Sequence, residues 1–340
     1  MRRRYQLFLT FFLIILLVLS IFFSLTIGSV SIPFSHSLGI LLDALGISTS
    51  IPFTPTEQII VLSLRLPRVL MAVLIGAMLS IAGVASQNLF KNPIADPYII
   101  GISSSAGFGA AFATVLGVSF FGKFTLPFIS FFFALGTIFF IYQISKKKDD
   151  LNVSTLLLSG IALSYLFSAL ISLLLFLAEN TSHLILSVLM GNFWGIGWDE
   201  VYISTLVLLP SGLLLYLYGL DMNLLLMGDD AAKSMGLNVK RSKIVIIFGM
   251  TILTATAVAF CGSIGFVGLI VPHITRMIFG SDNRKIIPKS AIIGAILLIW
   301  ADVMARTLSA PLEIPVSVFT SFMGGPFFIW LVIKQRKRMK

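Results

Sequence analysis

The sequence predicts an all-α polytopic membrane protein of about ten helices. Of its 340 residues, 57% are hydrophobic and 11% charged, whereas an ordinary soluble domain carries roughly 25% charged residues. Mean hydropathy is +1.02. The apolar residues gather into runs of about 20, the length that crosses roughly 30 Å of hydrocarbon. No water-soluble fold could hide this much apolar surface, so the bilayer is the solvent.

The first run, Leu7 to Ile27, follows Arg2, Arg3 and Arg4 and lacks a small-x-small cleavage site, so it reads as a retained span. The segment Ile32 to Glu57, with Pro33, Pro52 and Pro55, reads as an outer loop. Proline suits the first turn of a helix, so Arg65-Leu66-Pro67-Arg68 opens the second span, Val69 to Leu89, and presents both guanidiniums near one face at the membrane edge. Asn92-Pro93 and Asp96-Pro97 then turn the chain sharply. The third run, Tyr98 to Val118, carries small residues from Gly101 to Gly107 that permit close helix packing in lipid. Phe124 to Ile144 follows.

The fifth run, Val153 to Ala178, places Ser164, Ser168 and Ser172 four apart on one helical face. Such hydroxyls either line a pathway or bond to their own backbone. Trp194 and Trp198 flank Gly195 and Gly197 as outer interfacial anchors before the sixth run, Val201 to Leu220. About residues 224–240 lies the longest polar inner segment between spans, with Gly228, Asp229, Asp230, Ala231, Lys233 and Gly236. Two aspartates favour a helix N-terminus and a glycine its C-cap, which predicts a short helix under the membrane.

The seventh run, Ile244 to Gly262, contains the single cysteine, Cys261, read as a small buried hydrophobe. Gly262, Gly265 and Gly268 break the chain around a run too short to span unaided, Phe266 to Phe279. That pattern predicts a half-helix whose irregular backbone is hidden in protein, with His273 packing there. Asp302 lies inside the ninth run, Ser290 to Leu308, and Arg306, four residues on, is its expected ion-pair partner. The tenth run, Ile314 to Ile333, carries Ser317, Thr320, Ser321 and Gly324 on one face.

The net charge of +10 is explained by topology and implies no nucleic acid. With the N-terminus inside, the inner segments hold 20 of the 24 basic residues; Arg65, Arg68, Lys123 and Arg306 fall outside. The positive-inside rule therefore puts both termini in the cytoplasm of a multi-pass protein of the cell membrane. Five spans precede the sixth, so an internal duplication would be inverted about the membrane plane. Residues 1–340 read as one transmembrane domain.

Much chemistry is missing. There is no G-x-x-x-x-G-K-[S/T] loop to cradle nucleotide phosphates, no H-E-x-x-H, no G-x-S-x-G, and His36, His183 and His273 are scattered, so neither a catalytic site nor a metal site is expected. A membrane-embedded hydrolase is disfavoured by the lack of a nucleophile and base pair. A proton-coupled secondary transporter, the competing class, lacks an acidic chain across the membrane.

Seven blocks, in order, resemble a known family. They are R65-L-P-R68, G76-AMLSIAG-VASQ-NLFKNPIADP-YIIG101, L226-MGDDAAKSMG-L237, G262-SIGFVGLIVPHITR276, P288-KSAIIGA, A301-DVMAR306 and E313-IPVSVFTSFMGGPFF. From about Arg65 to Val332 the chain resembles the FecCD/BtuC-like, type II permeases of bacterial ABC importers for iron-siderophores, haem and vitamin B12. The resemblance implies a pair of permeases on a pair of cytoplasmic ABC ATPases that bind the ATP and Mg. An external solute-binding protein would deliver cargo, and alternating access would move it without chemistry on the substrate. It implies ATPase coupling through the segment from Gly228 to Gly236, a pathway lined by the fifth and tenth spans, and binding-protein docking by Arg65, Arg68 and Arg306. Ferric-siderophore or haem is the first cargo expected, cobalamin the second.

Overall fold

The computed structural model describes residues 2–28, 30–146, 151–178 and 182–338, and side chains are described from 6 through 330 of these and at 333. Lys147, Lys148 and Lys340, counted above among the inner cations, lie outside the described residues, as do the side chains of Arg2, Arg3, Arg4, Lys334, Arg336, Lys337 and Arg338.

Ten apolar helices stand where the ten runs were expected, and no extended strand is found among the described residues. Seven are long and apolar enough to cross a membrane. These are α1 (Arg2–Thr26), α4 (Leu66–Leu89, with its N-terminal extension), α6 (Thr125–Ser145), α7 (Val153–Leu177), α9 (Trp198–Leu217), α12 (Val239–Cys261) and α14 (Asn283–Thr307). The shorter apolar stretches are α5 (Ile102–Val115), α13 (Val267–Phe279) and, within α15 (Val316–Arg338), Val316–Trp330.

The outer segment is not the loop that its prolines suggest. It holds α2 (Phe34–Ala44), entered from Pro33, and α3 (Pro55–Ile59), which Thr54 and Glu57 start with a reciprocal capping box. From α3 the chain runs without a break through a π-helical turn, Ile60–Arg65, into α4. Pro67 therefore sits inside a continuous rod rather than at its start. A proline ring crowds the carbonyl four residues earlier, here that of Ser63, and the wider π turn gives that carbonyl room. A further short helix, α8 (Ser182–Leu189), precedes the Gly191–Gly197 loop.

The core is built around α4, which is buried along most of its length. A Cβ added to Gly76 would lie 2.3 Å from the carbonyl oxygen of Gly294 on α14, and one on Gly83 would lie 1.9 Å from that of Gly268 on α13. Backbone meets backbone at both points, the close approach that small residues allow where lipid supplies no hydrophobic drive between helices.

The chain between α12 and α13 is unwound over Gly262–Phe266, as expected. Its polar groups are met inside the protein: the Ser263 hydroxyl bonds that of Ser103 at 2.9 Å, the Ser263 N–H donates to Leu189 O, and the Tyr98 hydroxyl donates to Ile264 O at 3.1 Å. Non-helical backbone survives at membrane depth only under that condition. Cys261 is buried and free, and the His273 ring packs edge-on to Phe327.

Candidate functional site

At the outer end, Arg65, Arg68 and Arg306 converge on one cavity of about 580 Å³, which Ser63, Phe193 and Glu313 also line. They are not presented together on an exposed face, as Pro67 had suggested; Arg65 is only 7% exposed. The continuous helix swings Arg65 toward the end of α1, where Nη1 donates to Leu25 O (2.7 Å) and Thr26 O (3.2 Å) and Nη2 donates to Val30 O. The last carbonyls of a helix have no partner of their own and carry the negative end of its dipole, so a guanidinium caps them well.

Arg68 turns the other way. Its Nε and Nη2 donate to Asp302 (Nη2 to Oδ1, 2.8 Å), and Nη1 donates to Glu313 at 2.8 and 3.1 Å. The expected pair of Asp302 with Arg306 forms at 3.5 Å, but Arg68 is the closer partner. Arg306 instead gives Nη2 to the carbonyl and the hydroxyl of Ser24 at 2.7 and 2.6 Å. Arg68 and Arg306 thus share Asp302, Arg68 also holds Glu313, and Arg65 donates to carbonyls instead. Glu313 and Ser24 were invisible as members because each lies far along the chain from Arg68 or Arg306.

At the opposite end of the α4 rod, α9 continues through α10 (Gly219–Leu226) into the six-residue α11 (Asp229–Ser234). The predicted short helix is present, with both aspartates in its first turn. Gly236, at φ +86°, closes it: its N–H reaches Lys233 O and that of Leu237 reaches Ala232 O, a Schellman cap that favours glycine. Leu226, Met227, Asp230, Lys233 and Met235 are exposed, a mixture of apolar and charged side chains, and Gly228 and Ala231 are half-buried.

Asp229 faces inward instead. Its Oδ1 accepts from Lys91 at 2.9 Å and its Oδ2 from Lys243 at 2.5 Å. Burial pushes its carboxyl up, but the bonds from Lys243 and Lys91 outweigh that and hold it below the usual carboxylate range. Neither lysine was picked out from the sequence. A cavity of about 410 Å³ opens beside them, bounded by Asn152 and Ser154 at the start of α7. Nearby, Asn88 on α4 and Asn283 on α14 exchange reciprocal amide bonds (2.9 and 2.8 Å), and Asn223 of α10 joins them.

The serines of α7 divide. Ser164 and Ser172 donate to the carbonyls of Gly160 and Ser168, four residues back, while Ser168 and Ser172 stand exposed. On α15 the expected single face splits as well. Thr320 and Gly324 are buried within the chain, and a Cβ on Gly324 would lie 2.1 Å from the Phe266 ring; Ser321 is exposed and Ser317 intermediate. Among the described residues no group of three or more His, Cys, Asp or Glu is placed to hold a metal ion.

Ten apolar helices with one of them, α4, as a buried rod, unwound backbone sealed inside protein and a charged chamber at one end define a polytopic membrane permease. The chain belongs to the FecCD transport family, whose model matches residues 16–334, and it is the permease subunit of an ABC importer. It is 38% identical to the hemin transport system permease protein HmuU of Yersinia pestis over 287 residues, 82% of this chain and 84% of that one. It is 36% identical to the molybdate import system permease protein MolB of Haemophilus influenzae over 332 residues, 96% of each. Among solved structures it matches a transporter assigned to the metal-chelate ABC type, in an inward-facing conformation, with a TM-score of 0.83 and 34% identity over 95% of this chain and 98% of that one. Family membership displaces the proton-coupled secondary transporter considered above.

Proposed function

We propose that the chain is one half of a permease pair that imports a metal chelate, a ferric-siderophore or haem, across the cell membrane. Two copies, or this chain and a homologous permease, sit on two cytoplasmic ATPases that bind ATP and Mg, and a solute-binding protein delivers cargo from outside. The permease itself carries no cofactor and does no chemistry. Positive-inside charge orients it with both termini in the cytoplasm.

The observation that carries this reading is the form of residues 224–240: a short helix closed by Gly236 and anchored through Ala232 and Asp229, with Leu226, Met227, Asp230, Lys233 and Met235 exposed. Such a surface suits a groove on an ATPase. The cargo class rests on the likeness to the metal-chelate transporter and on the hemin permease among the relatives. The pathway falls between the two permeases, along the exposed Ser168, Ser172 and Ser321. On the outer side a carboxylate of the binding protein would enter the arginine cavity and meet the unmatched charge of Arg65; the docking surface is that cavity rather than an exposed rim.

The test is ATP-dependent uptake by vesicles holding the reconstituted complex, comparing haemin, a ferric-siderophore, cobalamin and molybdate. Accumulation of haemin or the ferric-siderophore well above the other two supports the cargo class. Uptake of molybdate or cobalamin alone overturns it.

A further inference from the structure

Asp229 belongs to the coupling segment in sequence, yet it does not face outward with Asp230, whose side chain is fully exposed. One carboxylate oxygen holds Lys91, in the turn that ends α4, and the other holds Lys243, on α12. Lys243 is 4% exposed at its side chain and also donates to Leu151 O at 3.3 Å, at the entrance to α7. A single carboxylate on α11 therefore ties the turn after α4 and α12 directly, and the lead into α7 through Lys243.

The turn at Lys91 is itself set firmly. Lys91 is one of two non-glycine residues with positive φ among the described residues, at +50°. Its N–H reaches Asn88 O and the next N–H reaches Gln87 O, so α4 ends in a left-handed cap without the usual glycine. That backbone conformation is uncommon for a side-chain-bearing residue, and here it aims the ammonium at Asp229.

We propose that Asp229 is a positioning residue, an ionic joint that passes movement of α11 to α4 through Lys91 and to α12 and α7 through Lys243, while Asp230 and Lys233 serve the ATPase surface. The proposal rests on the coupling reading of α11. A displacement of that helix pulls on one carboxylate, and both lysines follow because each bond is short. Division of labour between adjacent aspartates follows from geometry alone: Asp229 and Asp230 are successive on a helix and point about 100° apart.

The experiment is hydrogen exchange on the permease assembled with its ATPase, with and without ATP and vanadate. In the native complex, trapping changes exchange in residues 87–92 and 151–156. In Asp229→Asn both changes fall at least threefold, while ATPase binding still protects residues 229–237. Lys91→Gln silences the first segment alone and Lys243→Gln the second alone, which separates a broken joint from general unfolding; Asp229→Glu restores part of both responses. Full responses in Asp229→Asn, or no response of either segment in the native complex, overturn the joint. If ATPase binding leaves residues 229–237 unprotected in the native complex, the coupling reading itself fails.

Discussion

Replacing Asp302 by leucine breaks the outer charge network at its most buried point. The carboxylate is 1% exposed, 2.8 Å from Arg68 and 3.5 Å from Arg306. Opposite charges near 4 Å are worth about 4 kcal/mol at the effective dielectric of a protein margin, before desolvation is counted. Removing one partner of a buried pair costs roughly 3–5 kcal/mol, chiefly because the other charge is left stranded. Arg68 keeps Glu313, whose side chain is 24% exposed, which puts the cost near the lower figure. Against a total stability of about 5–15 kcal/mol, that is a large fraction. Arg306→Met combined with Asp302→Leu removes the guanidinium left without a carboxylate, while Arg68 keeps Glu313, and is expected to recover at least half of the loss. Equilibrium unfolding in mixed micelles over the single and double variants measures this. If Asp302→Leu costs under about 0.5 kcal/mol, or the double variant is no better than the single, the network does not hold the outer end together in the way argued.

Other outcomes follow from the same packing and charge. Gly83→Ala places a Cβ on the Gly268 carbonyl and is expected to destabilise by about 1–3 kcal/mol in the same unfolding assay, while Gly136→Ala, with nothing within 4 Å, is neutral or mildly stabilising. Cysteines at Ser168 and Ser321 react with a polar thiol reagent in the assembled complex and one at Thr320 does not; equal inertness of all three removes Ser168 and Ser321 from the pathway. The carboxyl of Asp229 has a lowered pKa, so its stabilising contribution is complete above the ordinary value of 3.8 and is lost as pH falls through the folded value beneath it. Exchange protection of residues 229–237, corrected for intrinsic rate, is therefore expected to hold at pH 5; loss of it by pH 5 contradicts the assigned pairing.

What the sequence revealed and what it concealed have separate physical causes. Apolar length is a local property, so every span was legible, including the unaided shortness of α13. The helix α11 was legible for the same reason, since its start at Asp229 and its stop at Gly236 depend on residues within one turn. Proline misled twice. Pro33 and Pro55 read as loop markers in the sequence but begin α2 and α3, and Pro67 reads as a helix start although a π turn carries the helix through it. That single difference redirects Arg65. The partners Lys91 and Asp229 are 138 residues apart, and Arg68 and Glu313 are 245 apart. No periodicity encodes such pairings.

The contact of α4 with α13 and α14 has a mechanical meaning. Side chains are springs of a sort: they change rotamer and let neighbouring helices slip. Backbone seated on backbone at Gly76 and Gly83 has no such give, since movement of an ångström drives carbonyl into Cα. These three helices behave as a single stiff keel. Movement within the chain is therefore expected outside this trio, and α7, of which only 6% of the membrane-crossing stretch is buried within the chain, lies on the face turned away from it.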